Sequence, residues 1–337
     1  SGTTAQGYLS KDKTKVVNTY TTTANVLAGS VQTPTTNVPV FDLENRSAGN
    51  GYKDISKYIY RQNVLNPYEE YSHGVYVQEQ MDISIVKVLV GLRQEWFTEI
   101  LNKGTDKETQ RETKAFIPRV GLVVEASENI NLYSTWVKGF QPQGANIQSD
   151  PERYGGPFDY VKSELHEIGL KTEWFNKRLN ATLSVFKIKQ ENSLEQSAKA
   201  GKPDWRVPVD EESNGFEVDV AGRIAPNWSV VANYAYTDAR IVKLKEEGAL
   251  KDLNMQRPST PRHAANFWTK YIIQKGALEG LGLGVGVNYV SERLGQVGRR
   301  ATAATYPEYT LVNAVLYYKV KDVQFQVNVN NVLNRTY

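Results

Sequence analysis

Cysteine is absent from this sequence of 337 residues, and methionine and histidine are rare, with two and three residues. The absence of cysteine excludes disulfide bonds and metal sites that depend on thiolates. No run of about 18 apolar residues occurs, so the sequence predicts no transmembrane helix. The formal net charge of +3 is close to neutral, which does not favour a nucleic-acid partner. The fold class therefore has to be predicted from the pattern of apolar and polar residues.

The clearest pattern lies in residues 213–240. Phe216 and Val218 alternate with Glu217 and Asp219, which is the period of a β-strand with one apolar and one polar face. An Ala-Pro-Asn turn then leads into a second alternating run. Each strand has about 10 residues, enough to cross a bilayer when tilted. Since lipid would exclude the carboxylates, the hairpin predicts a transmembrane β-barrel with a wet interior.

The same alternation recurs along the chain and predicts an all-β, antiparallel structure of about fourteen strands. The clearest predicted strands are 74–82, 86–99, 115–126, 131–140, 161–175, 179–192, 213–224, 228–242, 262–274, 281–293, 308–319 and 322–333. Short links (126–130, 175–179, 224–228, 274–281 and 320–322) alternate with long ones (100–114, 141–160, 193–212, 243–261 and 294–307). This asymmetry is typical of outer-membrane β-barrels, which have short periplasmic turns and long extracellular loops.

A row of alternating glycines occupies positions 280, 282, 284 and 286. A dinucleotide-binding loop would need its glycines after a strand and before a helix. Here the glycines alternate with leucine and valine inside one predicted strand. We therefore interpret them as a smooth row facing the lumen, where backbone or a plug packs closely.

The three histidines and one carboxylate pair are the residues that could bind a metal or serve acid–base chemistry. His73, His166 and His263 lie on separate predicted strands or strand starts, whereas a zinc site would require them to converge with a carboxylate. Hydrogen bonding at the interface or in the lumen is the simpler interpretation. Glu217 and Asp219 could serve acid–base chemistry, but such pairs arise on every polar barrel face.

Several segments together resemble the barrel of TonB-dependent ferric-siderophore receptors. They are 116–124 (FIPRVGLVV), 128–133 (ENINLY), 139–143 (GFQPQ), 167–174 (EIGLKTEW), 213–240, 260–268 (TPRHAANFW), 307–313 (PEYTLVN) and 328–337 (NVNNVLNRTY). The set of motifs is specific, although each motif alone is only a strand pattern. The resemblance implies an outer-membrane barrel of about 22 strands that is plugged by an N-terminal domain.

The chain also departs from that family. It shows no plug-like segment, no TonB box near Ser1 and no final strand after Tyr337. Residues 16–29 predict a threonine-rich strand, and 31–72 lack clear periodicity. A sheet of about fourteen strands would leave two unpaired edges in lipid. We therefore expect residues 1–337 to be the C-terminal barrel portion of a longer receptor, incomplete at both ends. The alternative is that a second chain or a remodelled closure completes the barrel.

The long loops carry the candidate ligand-binding residues. Arg153, Tyr154, Phe158 and Tyr160 lie on a segment stiffened by glycine and proline, and Trp205 lies on the next long loop. Aromatic faces combined with guanidinium groups suit a bulky, planar, often anionic ligand. The alternative is that the aromatic residues belong to the interface belt and the arginines bind lipopolysaccharide phosphates. Further loop candidates are Arg206, Arg299, Arg300 and Tyr306.

The resemblance implies a receptor that binds a ferric siderophore and imports it with energy from TonB. The expected partners are the ferric siderophore, TonB through the plug segment, and outer-membrane lipid and lipopolysaccharide, with no nucleic acid. No enzyme activity, cofactor or protein metal ligand is expected, because the siderophore would carry the iron. Two alternatives stay open: a passive diffusion porin, and a barrel hydrolase with a Ser–His pair on its lipid face.

Overall fold

A computed structural model describes residues 66–196, 199, 201–202, 204–245, 256–295 and 304–336, together with four short strands before residue 65. The chain divides into two compact units. The first comprises Ser1–Leu9, Ser72–Phe97 and Thr113–Tyr337, and the second comprises Ser10–Tyr71 and Thr98–Glu112. The long loops 141–160 and 193–212 both belong to the first unit.

Strands make up nearly all of the regular structure. Their bounds are β1 Thr4–Gln6, β2 Leu9–Lys11, β3 Val16–Tyr20, β4 Tyr60–Val64, β5 Tyr68–Ile83, β6 Val86–Leu101, β7 Thr109–Ser127, β8 Ile130–Gln141, β9 Val161–Trp174, β10 Leu179–Gln196, β11 Arg206–Ala225, β12 Trp228–Leu244, β13 His263–Ile272, β14 Leu281–Val290, β15 Arg293–Leu294, β16 Thr305–Tyr306, β17 Tyr309–Val320 and β18 Val323–Val329. Two short helices lie between β8 and β9: α1 Ala145–Gln148 and α2 Pro151–Tyr154. Neither helix is long or apolar enough to cross a bilayer, and the described residues contain no other candidate.

The strands form one antiparallel sheet of 14 strands, in the order β1-β5-β6-β7-β8-β9-β10-β11-β12-β13-β14-β17-β18, with β2 also paired to β5. The strand number confirms the prediction, although β1 and β2 have only three residues each. In the second unit, β3 pairs with β4. Only Val16–Tyr20 of the strand predicted at 16–29 is described; the remaining predicted strand residues lie outside the described part.

The long strands of the sheet have an apolar face and a polar face. In β11, Phe216, Val218 and Val220 occupy the apolar face, and they lie opposite Val185, Leu183 and Ala181 of β10. Val185 remains 59% exposed. Glu217 and Asp219 lie on the polar face, opposite Ser184 and Thr182. The predicted period-2 alternation is therefore confirmed in the structure.

The two ends of the strands differ as predicted. Short turns join the strands at one end, and residues with left-handed backbone complete several of them, including Ser84, Asn176 and Lys321. Long segments join them at the other end, which we call the loop end. Several strands are longer than predicted there: β7 begins at Thr109 and β11 at Arg206. The predicted loops 100–114 and 193–212 are correspondingly too long.

A row of asparagines crosses the polar face of four neighbouring strands. Asn266 Nδ2 donates to Asn233 Oδ1 at 2.8 Å, and Asn288 Nδ2 donates to Asn266 Oδ1. Asn313 Nδ2 donates to Asn288 Oδ1 at 3.3 Å, and the Asn331 backbone N–H donates to Asn313 Oδ1 at 2.9 Å. We call these five residues the asparagine row. Its bonds run between strands, so it adds side-chain cross-links to the backbone ladder.

The glycines of β14 make room for aromatic rings on the polar face. A Cβ atom at Gly286 would lie 2.5 Å from Trp268 Cε3, and one at Gly284 would lie 2.9 Å from Trp268 Cζ2. Lys270 Nζ lies 4.0 Å from the centroid of Tyr317, whose ring also lies against Gly284. The predicted polar-face position is correct. The predicted smooth row is wrong at Gly284 and Gly286, which rings from β13 and β17 cover. At Gly280 and Gly282 backbone packs closely, as predicted, because the carbonyl oxygens of Lys319 and Tyr271 are close neighbours.

At the loop end the strands build a small core of their own. Val207 and Val209 of β11 pack against Ile241 of β12, and all three are at most 3% exposed. Trp205 and Leu244 pack against this cluster. The valines share a face with Glu217, so the apolar side of β11 changes from one face to the other along its length. Near the loop end, the β11–β12 hairpin therefore buries apolar side chains on the face that is polar in the rest of β11.

Candidate ligand-binding surface

The segment between β8 and β9 is ordered by local hydrogen bonds. Asp150 precedes α2 and its carboxylate accepts the Arg153 backbone N–H at 3.1 Å, while Pro151 occupies the first turn. Both features favour a helix start at this point. Gly155 ends the helix with φ of 90°, a conformation that residues with a Cβ rarely adopt. The four-residue helix thus has a defined beginning and end.

Phe158 is held inside this segment. The Gln148 side chain bonds it twice: Nε2 donates to Phe158 O at 2.8 Å, and Oε1 accepts Phe158 N–H at 2.8 Å. The ring is only 6% exposed, and it also lies against Gly155 and Gly156. Phe158, which is one of the predicted ligand-binding residues, therefore packs its side chain within the loop.

Trp205 contacts the same segment from the next loop. A Cβ at Gly155 would lie 3.1 Å from the Trp205 ring, so glycine at this position permits the close approach. The Trp205 side chain also packs on the loop-end core of Val207, Val209 and Ile241. Trp205, which the sequence placed on a long loop, is thus half-buried at the base of that loop.

Each of the exposed or half-buried aromatic candidates has a cation beside it. Lys199 and Lys202 place their Nζ atoms 3.7 and 4.7 Å from the centroid of Trp205. Arg153 lies 4.9 Å above Tyr154. Such contacts contribute about 0.5–1 kcal/mol at exposed sites. We call Arg153, Tyr154, Lys199, Lys202 and Trp205 the cation–aromatic surface.

Polar contacts join the two loops that form this surface. Arg153 donates from both Nε and Nη2 to Asp204 Oδ2 at 2.8 Å. The Lys202 ammonium donates to the Glu152 carbonyl oxygen at 2.9 Å. The hydrogen bond with Asp204 raises the pKa of Arg153 above its ordinary value, so the guanidinium keeps its charge at any physiological pH. An exposed ion pair of this kind adds little stability by itself, but it fixes the position of the Arg153 guanidinium.

Tyr160 belongs to a neighbouring group of rings. It meets Phe140 edge-on at 4.8 Å, and Phe140 meets Phe97 at 6.2 Å. Lys162 Nζ lies 5.4 Å from the Tyr160 centroid. The structure thus brings Arg153, Tyr154 and Trp205 together and places Tyr160 at the base of the same loop. Whether any of them contacts a ligand stays a prediction.

Two lysines of the surface were not predicted from the sequence. Lys199 and Lys202 precede Trp205 closely in K-A-G-K-P-D-W, and this proximity was an available signal. Arg299 and Arg300 lie outside the described residues. Tyr306 stands beside Arg293 at 5.4 Å, away from these two loops along the chain. Within the described residues, no three His, Asp or Glu side chains are grouped as a metal site would require.

Comparison with known proteins gives a family match over nearly the whole chain. Residues 1–332 match the model of the TonB dependent receptor-like beta-barrel family. The metal-pseudopaline receptor CntO of Pseudomonas aeruginosa is 30% identical over 253 residues, which cover 73% of this chain and 33% of that receptor. The catecholate siderophore receptor Fiu of Escherichia coli K12 is 30% identical over 227 residues, covering 65% and 29%. The chain therefore spans about a third of the length of these relatives.

Solved structures show the same fold. The siderophore receptor PiuA from Acinetobacter baumannii superposes with a TM-score of 0.67 at 22% identity, covering 83% of this chain and 41% of that one. The receptor FpvA of P. aeruginosa gives a TM-score of 0.68 at 23% identity, covering 84% and 37%. The relatives are transport receptors rather than enzymes. The chain belongs to the TonB-dependent receptor β-barrel family of the Gram-negative outer membrane.

Proposed function

We propose that this chain forms part of the wall and the extracellular loops of a receptor that binds a ferric siderophore and imports it with energy from TonB. The cation–aromatic surface carries the proposal. It combines two rings, Tyr154 and Trp205, with three cations on two loops that are bonded to each other. Planar arms of a chelate can stack on such rings, and their anionic oxygens can pair with the cations.

The relatives support a metal chelate as the ligand class. Their names describe receptors for metal-pseudopaline, for catecholate siderophores and for ferric pyoverdine. In this proposal the siderophore supplies the iron donors, and the protein recognises the outside of the complex. TonB would act through a plug segment that accompanies the wall. Lipopolysaccharide would contact the outer surface above the apolar face.

Replacement of Trp205 tests the surface directly. We expect Trp205→Ala to weaken binding of the ferric complex about tenfold, which corresponds to about 1.4 kcal/mol of lost ring contact. Binding is measured by fluorescence quenching with ferric hydroxamates, ferric catecholates and ferric pyoverdine. Trp205→Phe keeps a ring and should bind nearly as well as the unmodified protein.

A matched control separates ligand contact from general damage. Trp174 is also exposed, at 49%, but it ends β9 at the turn end, far along the strand from the loops. Trp174→Ala should therefore leave chelate binding unchanged. Uptake of radiolabelled iron should stop in cells without TonB. If no ferric chelate binds and small solutes cross in liposome swelling without an energy source, the receptor proposal is wrong and a diffusion porin replaces it.

A further inference from the structure

Asn192 occupies an irregular point near the loop end of β10. The register of β10 against β11 shifts between Gln190 and Ser193, and Asn192 has φ of 64°. Asparagine tolerates this left-handed conformation better than most residues that carry a Cβ. Its side chain is nevertheless buried, at 7% exposure. A residue that only provides the left-handed backbone of a bulge could point its side chain to solvent. The burial of the Asn192 side chain therefore needs a second explanation.

The hydrogen-bonding groups of Asn192 reach four different parts of the chain. Its Nδ2 donates to the Tyr160 carbonyl at 3.0 Å, and its Oδ1 accepts from Lys245 Nζ at 2.6 Å. Its backbone N–H donates to Asp210 Oδ1 at 3.2 Å, and its carbonyl accepts from Gln143 Nε2 at 2.7 Å. We call Gln143, Tyr160, Asn192, Asp210 and Lys245 the Asn192 hub.

The partners of Asn192 are also bonded to one another. Lys245 Nζ lies 2.9 Å from Asp210 Oδ1, which joins the end of β12 to β11. Gln143 Nε2 also donates to the Asp159 carbonyl at 3.0 Å. Both ends of the loop 142–160 are therefore fastened to the same residue or to its immediate partners. A network of hydrogen bonds that share members holds one arrangement more firmly than separate bonds would.

We propose that Asn192 is a positioning residue for ligand binding, because it fixes the 142–160 loop on the strand ends and so sets the spacing of Tyr154 from Trp205. The loop tip is already joined to the Trp205 loop through Arg153 and Asp204. With both base and tip fastened, the cation–aromatic surface is held in place before the ligand arrives. Ordering a loop on binding costs free energy, and a surface ordered in advance avoids that cost.

The chemistry of the hub requires an amide at this position. Aspartate would keep the acceptor for Lys245, but it would place a carboxylate oxygen against the Tyr160 carbonyl in place of a donor. Glycine would adopt the φ of 64° without strain and would lose both side-chain bonds. The two variants therefore separate the backbone requirement from the hydrogen-bonding requirement.

The test compares Asn192→Asp and Asn192→Gly with a matched control, Asn176→Asp. Asn176 also has a left-handed backbone, with φ of 56°, but it lies in the turn between β9 and β10. One readout is ferric-chelate affinity. The other is the fluorine NMR signal of fluorotryptophan at position 205, assigned with Trp205→Phe. We expect both Asn192 variants to shift that signal and to weaken binding about tenfold, and the control to change neither.

The ligand part of this inference rests on the proposed function, and the two readouts keep their failures apart. Absence of chelate binding by the unmodified protein would reject the proposed function, while the fluorine signal would still report on the hub. An unchanged signal and affinity in Asn192→Gly would show that the residue serves only the bulge, and would overturn the positioning role. If an Asn192 variant does not assemble, Lys245→Met removes the contacts of Lys245 with Asn192 Oδ1 and Asp210 Oδ1 without changing the β10 backbone, and it must shift the signal.

Discussion

The two faces of the same strands are stabilised in different ways. On the apolar face, neighbouring side chains make few specific bonds, and rings such as Phe216 and Tyr236 simply stack at 5.8 Å. On the polar face, side chains are bonded across strands in the asparagine row, and Trp268 fills the space over Gly286. Lipid can solvate the first face without directional contacts, whereas the second face must satisfy its own polar groups. A substitution should therefore have an effect that depends on the face more than on the strand.

The largest difference is expected for a new charge. Val327→Arg on the apolar face of β18 should cost about 2–4 kcal/mol if it lies near the bilayer midplane. Gln326→Arg, one residue earlier on the polar face, should cost much less, because its guanidinium meets water. Reversible unfolding in lipid measures both free energies. Equal costs for the two variants would contradict the assignment of the faces.

A middle-sized effect is expected for added volume on the polar face. Gly286→Ala should destabilise by about 1–3 kcal/mol, because its methyl group overlaps the Trp268 ring and the packing must shift. Gly121→Ala is the control, since its Cβ would meet only Leu89 at 3.8 Å. That change should be neutral or slightly stabilising. A similar loss of unfolding free energy in both variants would show that the glycine row is not needed for the ring.

The smallest effect concerns the asparagine row. A double-mutant cycle of Asn233→Ala and Asn266→Ala should give a coupling free energy of about 0.5–1.5 kcal/mol, the usual net value of a hydrogen bond. Unfolding of the unmodified protein, the two single variants and the double variant supplies the four free energies needed. Strict additivity would mean that the bond between these side chains contributes nothing to stability.

The sequence predicted the membrane-spanning parts of the strands well, because their apolar and polar residues alternate in one phase. The strand predicted at 161–175 is observed at Val161–Trp174. It did not predict the upper part of β11, which begins at Arg206 rather than at 213. There Val207 and Val209 are apolar on the face where Glu217 is polar. A change of phase within one strand has the same pattern as a strand end, so periodicity alone placed the boundary too late.

The candidate site was predicted in its residue types and only partly in its geometry. Arginine and aromatic residues on long loops indicated Arg153, Tyr154 and Trp205. The four-residue helices are too short to show a helical period. The pairing of Arg153 with Asp204 depends on how two loops fold against each other, and the residues are 51 positions apart in the chain. Asn192 had no signal of its own, because an asparagine in a bulge resembles any turn residue.

The asparagine row also favours one pairing register of the strands that it crosses. A strand slipped by one residue would carry every side chain to the opposite face. In β14 such a slip would replace Asn288 by Val287 or Tyr289 opposite Asn266, and the bonds to both neighbouring strands would be lost. All four bonds donate in the same direction, from Asn331 toward Asn233, so one misplaced strand interrupts a continuous chain of donors and acceptors. The row therefore distinguishes the correct alignment from its nearest alternatives with uncharged groups alone.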